Sequence, residues 1–160
     1  MKVLLDNLYP LHRDDSKTNV SVEIPLDRDY GCLEFLCSYT PKVLENEAEA
    51  KDLIEAGLER FIPPEYRERY GGWRDYLPVV NLITLSLDHD EIYVGCAHRH
   101  NPEQRHIVSA DFSSPGFFRH SASAGVWRAV INVHAVVSDE TVYHLTVNAY
   151  DKDEVPDDNL

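Results

Sequence analysis

Two histidines two residues apart, His98 and His100, lead the side chains in this sequence whose types and spacing can do chemistry. On a β-strand, residues i and i+2 project from the same face, so both imidazoles can reach one metal ion. Glu103 and His106 follow closely and would complete a donor set for a divalent metal ion. The plainer reading of the same segment, HRHNPEQRH, is a set of solvated polar residues in a hairpin whose turn is Asn101-Pro102. The plainer reading is preferred, so no cofactor is expected and a divalent metal ion is the alternative.

Other constellations carry weaker signals. Asp88-His89-Asp90-Glu91 gathers carboxylates that suit Ca²⁺, but without the spacing or glycine of an EF-hand loop, and it reads as a solvated turn between strands. His134 and His144 stand on two long C-terminal strand candidates and would approach each other if those strands paired as a hairpin. With Asn132 and Asn148 they are expected to line a polar face. Tyr66, Arg67, Arg69, Tyr70, Trp73, Arg74 and Tyr76 form the most interface-like composition in the chain, because Tyr, Trp and Arg combine large contact area with a polar handle. Ser113 and Ser114 precede Pro-Gly but lack a GxSxG elbow, and no GxGxxG or P-loop pattern occurs.

The elements that must position these residues are mostly strands. Trp127, Ala129, Ile131, Val133 and Ala135 alternate with Arg128, Asn132 and His134, a period of two that reads as a half-buried strand. Similar patterns occupy Val20–Ile24, Gly31–Tyr39, Val79–Asp88, Glu91–His98, Arg105–Ala110 and Thr141–Tyr150. Short strands divided by Asp, Asn, Pro and Gly clusters predict an all-β fold, an antiparallel β-sandwich or jelly roll. One helical insertion is expected at about residues 44–62, where Ala50, Leu53, Ile54, Leu58 and Phe61 keep helical spacing before Pro63-Pro64. It opens a longer excursion over 44–77. Residues 1–150 are read as a single domain, and the acidic tail 151–160 as disordered.

Composition narrows the partners. Acidic side chains number 28 against 15 basic ones, a net charge of −13 that repels phosphate backbones and anionic membranes. No apolar run approaches the ~20 residues that span a bilayer. Asp6 and Asn7 interrupt any signal-peptide core, and three sparse cysteines do not make a disulfide framework. A cytoplasmic protein with buried thiols is expected.

Two resemblances add to this reading. The HxH pair followed by Glu103 is similar in part to the metal motif of cupins, though its glycine and glutamate spacing differ and no second motif with a distant His is present. More of the chain, roughly Asn19–Tyr150, resembles the N-terminal β-sandwich domain of the CehA/McbA family of PHP-type metallohydrolases. The carrying residues are Asn81–Asp88 with its acidic turn, the Gly95–Ser109 segment, Ser114-Pro115-Gly116-Phe117, and Ala124-Gly125-Val126-Trp127 leading into an alternating strand. Ile24-Pro25 and Leu33–Tyr39 are compatible with the beginning of that domain. In that family a catalytic PHP domain with a DxHxH-type metal motif follows the sandwich. No such motif occurs here, and His98-Arg99-His100 lies inside the sandwich region. The resemblance therefore implies a fold and an accessory role without hydrolase activity.

The sequence thus predicts a non-catalytic binding module. Its expected contacts are Tyr66, Arg69, Tyr70 and Trp73, or the polar face of Asn132, His134, His144 and Asn148. The expected occupant is a protein partner (a PHP-type hydrolase in trans, or a second copy) or a neutral ligand such as a carbohydrate. The alternative is a cupin-like metal enzyme using His98, His100, Glu103 and His106.

Overall fold

Among the described residues eight strands make two four-stranded antiparallel sheets packed face to face, with one α-helix inserted between strands. The computed structural model describes residues 1–154 and 156. In chain order the strands are β1 (Lys2–Leu11), β2 (Thr18–Leu26), β3 (Cys32–Thr40), β4 (Leu82–His89), β5 (Ile92–Ala97), β6 (Glu103–Ser109), β7 (Gly125–Ala135) and β8 (Thr141–Tyr150). The helix α1 spans Glu47–Phe61 between β3 and β4. The first sheet runs β1-β8-β3-β6 and the second β2-β7-β4-β5, so most successive strands alternate between the layers.

The alternation seen in the sequence becomes the core. Trp127, Ala129, Ile131 and Val133 of β7 and Ile83, Leu85 and Leu87 of β4 meet Leu33, Phe35 and Tyr39 of β3 and Tyr143, Leu145 and Val147 of β8. The Phe35 and Trp127 rings lie 6.4 Å apart across the layers. Burial of such side chains contributes roughly 1.5–3 kcal/mol each and dominates what holds the sheets together. The edge beside β5 is closed by a strap that follows the Pro-Gly turn. Cys96 N–H donates to Gly116 O (2.9 Å) and Phe118 N–H to Val94 O (2.8 Å). Both glycines at this crossing have positive φ, and a Cβ on Gly95 would lie 2.4 Å from Gly116 O.

Two expectations need correction, and one strand lies outside those expected. β1 carries no clean alternation in the sequence, because it is an edge strand with a bulge between Val3 and Leu5 and side chains exposed on both faces. β7 and β8 do not form a hairpin. They lie in different sheets, so His134 and His144 face solvent on opposite sides of the sandwich. The segment His98–His100 is not on a strand, because β5 ends at Ala97 and the chain there crosses from one sheet to the other.

The helix forms where its periodicity predicts. Asn46 caps it, with Oδ1 accepting from Ala48 N–H (3.1 Å) and Glu49 N–H (3.3 Å). Its apolar stripe is only partly used. Ala50 is buried, Ile54 and Leu58 are half-buried, and Phe61 stays 70 % exposed. The anchor of the excursion is Asn81, fully buried where the chain re-enters the sandwich. Its Nδ2 donates to Pro41 O (2.8 Å), Ser138 Oγ (3.0 Å) and Thr141 Oγ1 (3.1 Å), and its Oδ1 accepts from Val137 N–H (2.7 Å).

The expected disordered tail falls partly on residues 155 and 157–160, which lie outside the described residues. Before them, Asp151 pairs with Arg28 (2.7 Å) and Glu154 with the N-terminal ammonium (2.5 Å).

Candidate functional site

Three rows of side chains cross the outer face of the first sheet. Directly opposed residues of an antiparallel pair share a face. The strand register therefore sets Asp6, Thr146, Leu36 and Arg105 in one row, and Leu8, His144, Ser38 and Glu103 in the next. A third row holds Val3, Asn148, Glu34 and Ile107. Over the first two rows opens a cleft of about 520 Å³, lined by Leu36, Cys37, Ser38, Asn101, Glu103, Gln104, Arg105, His144 and Thr146. Hydrogen-bonding side chains thus share the lining with Leu36 and Cys37, and much of its surface is apolar.

The loop beside the cleft is tied down by β6. Gln104 Nε2 donates to Asn101 O (2.7 Å) and Arg99 O (3.3 Å), while its Oε1 accepts from Nε2 of His106 (3.0 Å). Gln104 thus carries the hold from a buried histidine to a solvent-exposed loop. With Nε2 donating, Nδ1 of His106 is the unprotonated ring nitrogen, and no described protein group lies within hydrogen-bond reach of it. Burial, with a smaller contribution from the Arg99 charge, pushes the His106 imidazole down to about 4.

Beside the cleft, from Arg105 in the first row to Glu34 in the third, lies an almost sealed ion pair. The Glu34 side chain is 5 % exposed and that of Arg105 19 %. Arg105 Nε donates to Glu34 Oε1 (2.6 Å), while Asn148 Nδ2 and Tyr150 Oη both donate to Oε2 (2.9 Å each). Burial alone raises the Glu34 carboxyl. The bonds from Asn148, Arg105 and Tyr150, with the Arg105 charge, outweigh it and hold the carboxyl below its ordinary value. The Tyr150 hydroxyl is correspondingly pushed up to about 12, by burial and by its bond to the Glu34 carboxylate.

On the other side of the cleft, His144 Nε2 meets Asp6 Oδ1 at 2.5 Å and Thr146 Oγ1 at 3.3 Å, and Thr146 Oγ1 donates to the same Asp6 oxygen (3.0 Å). The bonds from His144 and then Thr146 lower the Asp6 carboxyl. Both neighbours engage the same ring nitrogen. The imidazole therefore has no acid on one nitrogen and hydroxyl on the other, the arrangement a nucleophile relay needs.

Of the residues singled out in the sequence, the cleft gathers only His144 and Glu103. Asn148 is on the same sheet face but buried against Glu34. Asn132 and His134 lie on the outer face of the second sheet, where Asn132 Nδ2 donates to Ser86 Oγ (2.8 Å) and His134 Nε2 bonds Thr84 Oγ1 (2.9 Å). The expected single polar face is therefore two faces. The donors His98, His100, Glu103 and His106 do not converge, because the first two leave the strand and His106 points into the core against Phe117, 5.1 Å between rings. Among the described residues no three His, Cys, Asp or Glu side chains are placed to share a metal ion. The Asp88–Glu91 carboxylates also diverge. Asp90 and Glu91, both at positive φ, form a two-residue hairpin turn, and Asp90 Oδ1 accepts from Val126 N–H (2.8 Å).

Tyr66, Arg69 and Tyr70 stand on one short 3₁₀ turn, Pro64–Tyr70, and Trp73 on the next, Trp73–Tyr76. Tyr66, Tyr70 and Tyr76 stay 46 %, 50 % and 41 % exposed. The Arg69 guanidinium lies 5.7 Å from the Tyr66 ring centre, and that of Arg74 lies 4.3 Å from the Trp73 ring.

Sequence reasoning missed Asp6, Glu34, Leu36, Ser38, Arg105 and Thr146 as cleft or support residues. Glu34 alone left a trace, a lone acid in the apolar run Leu33–Tyr39. Also missed is a pair of imidazoles, one buried and one half-buried. His89 Nδ1 lies 2.8 Å from His120 Nε2, and the His89 ring stacks on Trp127 at 4.7 Å.

Comparison of the chain with protein-family models, curated proteins and solved structures found no match.

Proposed function

We propose that this sandwich is a non-catalytic binding module that takes a small hydroxylated ligand, of the carbohydrate class, in the cleft on its first sheet. The observation carrying this reading is the lining. Hydroxyl, amide, imidazole, carboxylate and guanidinium groups face one space of about 520 Å³ with Leu36 among them. That volume lies within the ~300–1,000 Å³ range of small-ligand pockets, and such a mixture of donors and acceptors suits a polyol. The His144 geometry, with both neighbours on one nitrogen, supports binding over hydrolysis. The test is a heteronuclear NMR titration of the ¹⁵N-labelled protein with a panel of mono- and disaccharides. Saturable shifts at Ser38, Leu36 and Thr146, weakened in a Thr146→Val variant, are the expected result. Saturable shifts confined to other surfaces, or none with any sugar, would refute the reading.

A protein partner is the second reading, favoured by the exposed aromatic and arginine patch at Tyr66–Tyr76. The sequence resemblance suggests a PHP-type hydrolase supplied in trans as that partner, and the same patch suits self-association. Concentration-dependent light scattering of the wild type and a Tyr66→Ala/Tyr70→Ala variant tests self-association. Equal molar masses at all concentrations in both would remove it.

A further inference from the structure

We infer that the cleft recognises a carboxylate on its ligand through Arg105, so that the preferred occupant is an acidic sugar such as a uronic acid. The inference rests on the ligand-binding reading above and names the ligand class. Its basis is how the guanidinium is held. Arg105 spends Nε on Glu34 Oε1 at 2.6 Å, while its terminal nitrogens bond no described protein group. The side chain lines the cleft, in the row shared with Leu36 and Thr146.

An arginine that is mostly buried yet bonded at only one nitrogen is an oriented fork with its two ends free. Flat carboxylates match that fork with two parallel charge-assisted hydrogen bonds. Glu34 cannot swing to cap those ends itself, because Asn148 and Tyr150 hold its other oxygen at 2.9 Å. Glu34 is thus a positioning residue, and its own position is set from β8. The remaining charges limit the ligand to one negative charge. Glu34 neutralises Arg105 as a pair, Glu103 lies in the cleft one row away, and Asp6 stands three strands away in the Arg105 row. The chain as a whole carries −13. A phosphomonoester dianion would meet that field with no second lysine or arginine among the described residues lining the cleft, whereas a monoanionic carboxylate needs only the fork.

Glucuronate and its neutral near-isostere glucuronamide provide the test, titrated separately into the wild type and Arg105→Gln by calorimetry and ¹⁵N NMR. The wild type is expected to bind glucuronate roughly tenfold or more tighter than the amide, the scale of a charge-assisted pair. In Arg105→Gln that ratio is expected to fall to about one. Should Arg105→Gln not fold, the guanidinium ¹⁵Nη–¹H signals of the wild type serve instead, sharpening and shifting with glucuronate and not with glucuronamide. Equal affinity for the two probes with shifts at Ser38 and Thr146 would overturn the inference and leave the module reading intact. Tighter binding of glucose 6-phosphate than of glucuronate would also overturn it. Absence of cleft shifts with any sugar would remove both readings together.

Discussion

Acidification should destabilise this protein through His106, by an amount the geometry sets. In the folded chain the ring donates from Nε2 to Gln104 and has no described protein acceptor at Nδ1, so a second proton would be buried without a partner. The imidazole is accordingly lowered from 6.5 to about 4. Because the folded value is depressed, the unfolded chain takes up the proton first as pH falls. Stability from this group is complete above the unfolded value, is lost between about pH 6.5 and 4, and changes no further below that. At 1.36 kcal/mol per pH unit the whole window is worth about 3 kcal/mol, of which about 2 kcal/mol has gone at pH 5. Urea unfolding at about pH 7.5, 6 and 5, on the wild type and on His106→Leu, measures it. The wild type should lose about 2 kcal/mol more than the variant between the first and last of these. His120, also lowered by burial and by His89, titrates in both proteins and cancels in the difference. Parallel losses in the two proteins would refute the argument. So would a His106 ring proton that titrates near 6.5 in the folded protein.

Two further outcomes follow from the packing. Asn81→Ala removes both ends of an amide that bonds Pro41, Val137, Ser138 and Thr141, and it should cost about 3–5 kcal/mol by urea unfolding. A loss under ~1 kcal/mol would mean the excursion is anchored elsewhere. Gly95→Ala places a Cβ 2.4 Å from Gly116 O and 2.5 Å from the Phe117 Cα at a φ of +143°, so backbone and not a side-chain tip must yield. Thermal melting should show a destabilisation of at least ~2 kcal/mol, and an unchanged midpoint would contradict the close crossing.

Legibility in the sequence follows locality. Seven of the eight strands among the described residues and the helix are visible in the sequence pattern, because a strand buried on one face must alternate and a helix packed on one side must repeat near 3.6. Leu33, Phe35, Ile83, Leu85, Leu87, Trp127 and Ile131 could be named as inward for that reason, and all are buried. β1 escaped because an edge strand with a bulge has little need to alternate. The helical stripe was legible too, but its burial was not. Phe61 fits the pattern and remains exposed, since periodicity says which face is apolar and not whether anything covers it.

The histidine candidates show the same limit from the other side. His98 and His100 are spaced for one strand face, yet a strand that stops at Ala97 removes the premise. His106 shares their stretch of sequence and lies in the core. His134 and His144 sit on similar alternating strands, and only the assignment of those strands to separate sheets parts them.

By itself, then, the sequence determined a two-layer β fold, an inserted helix and an acidic surface, all properties of residues within a few positions of one another. Tertiary structure alone decided which side chains share the cleft. Arg105 reaches Glu34 across 71 residues, and Asn148 and Tyr150 reach it across 114 and 116. Strand order and register set those meetings, and both depend on hydrogen bonds between segments far apart in the chain.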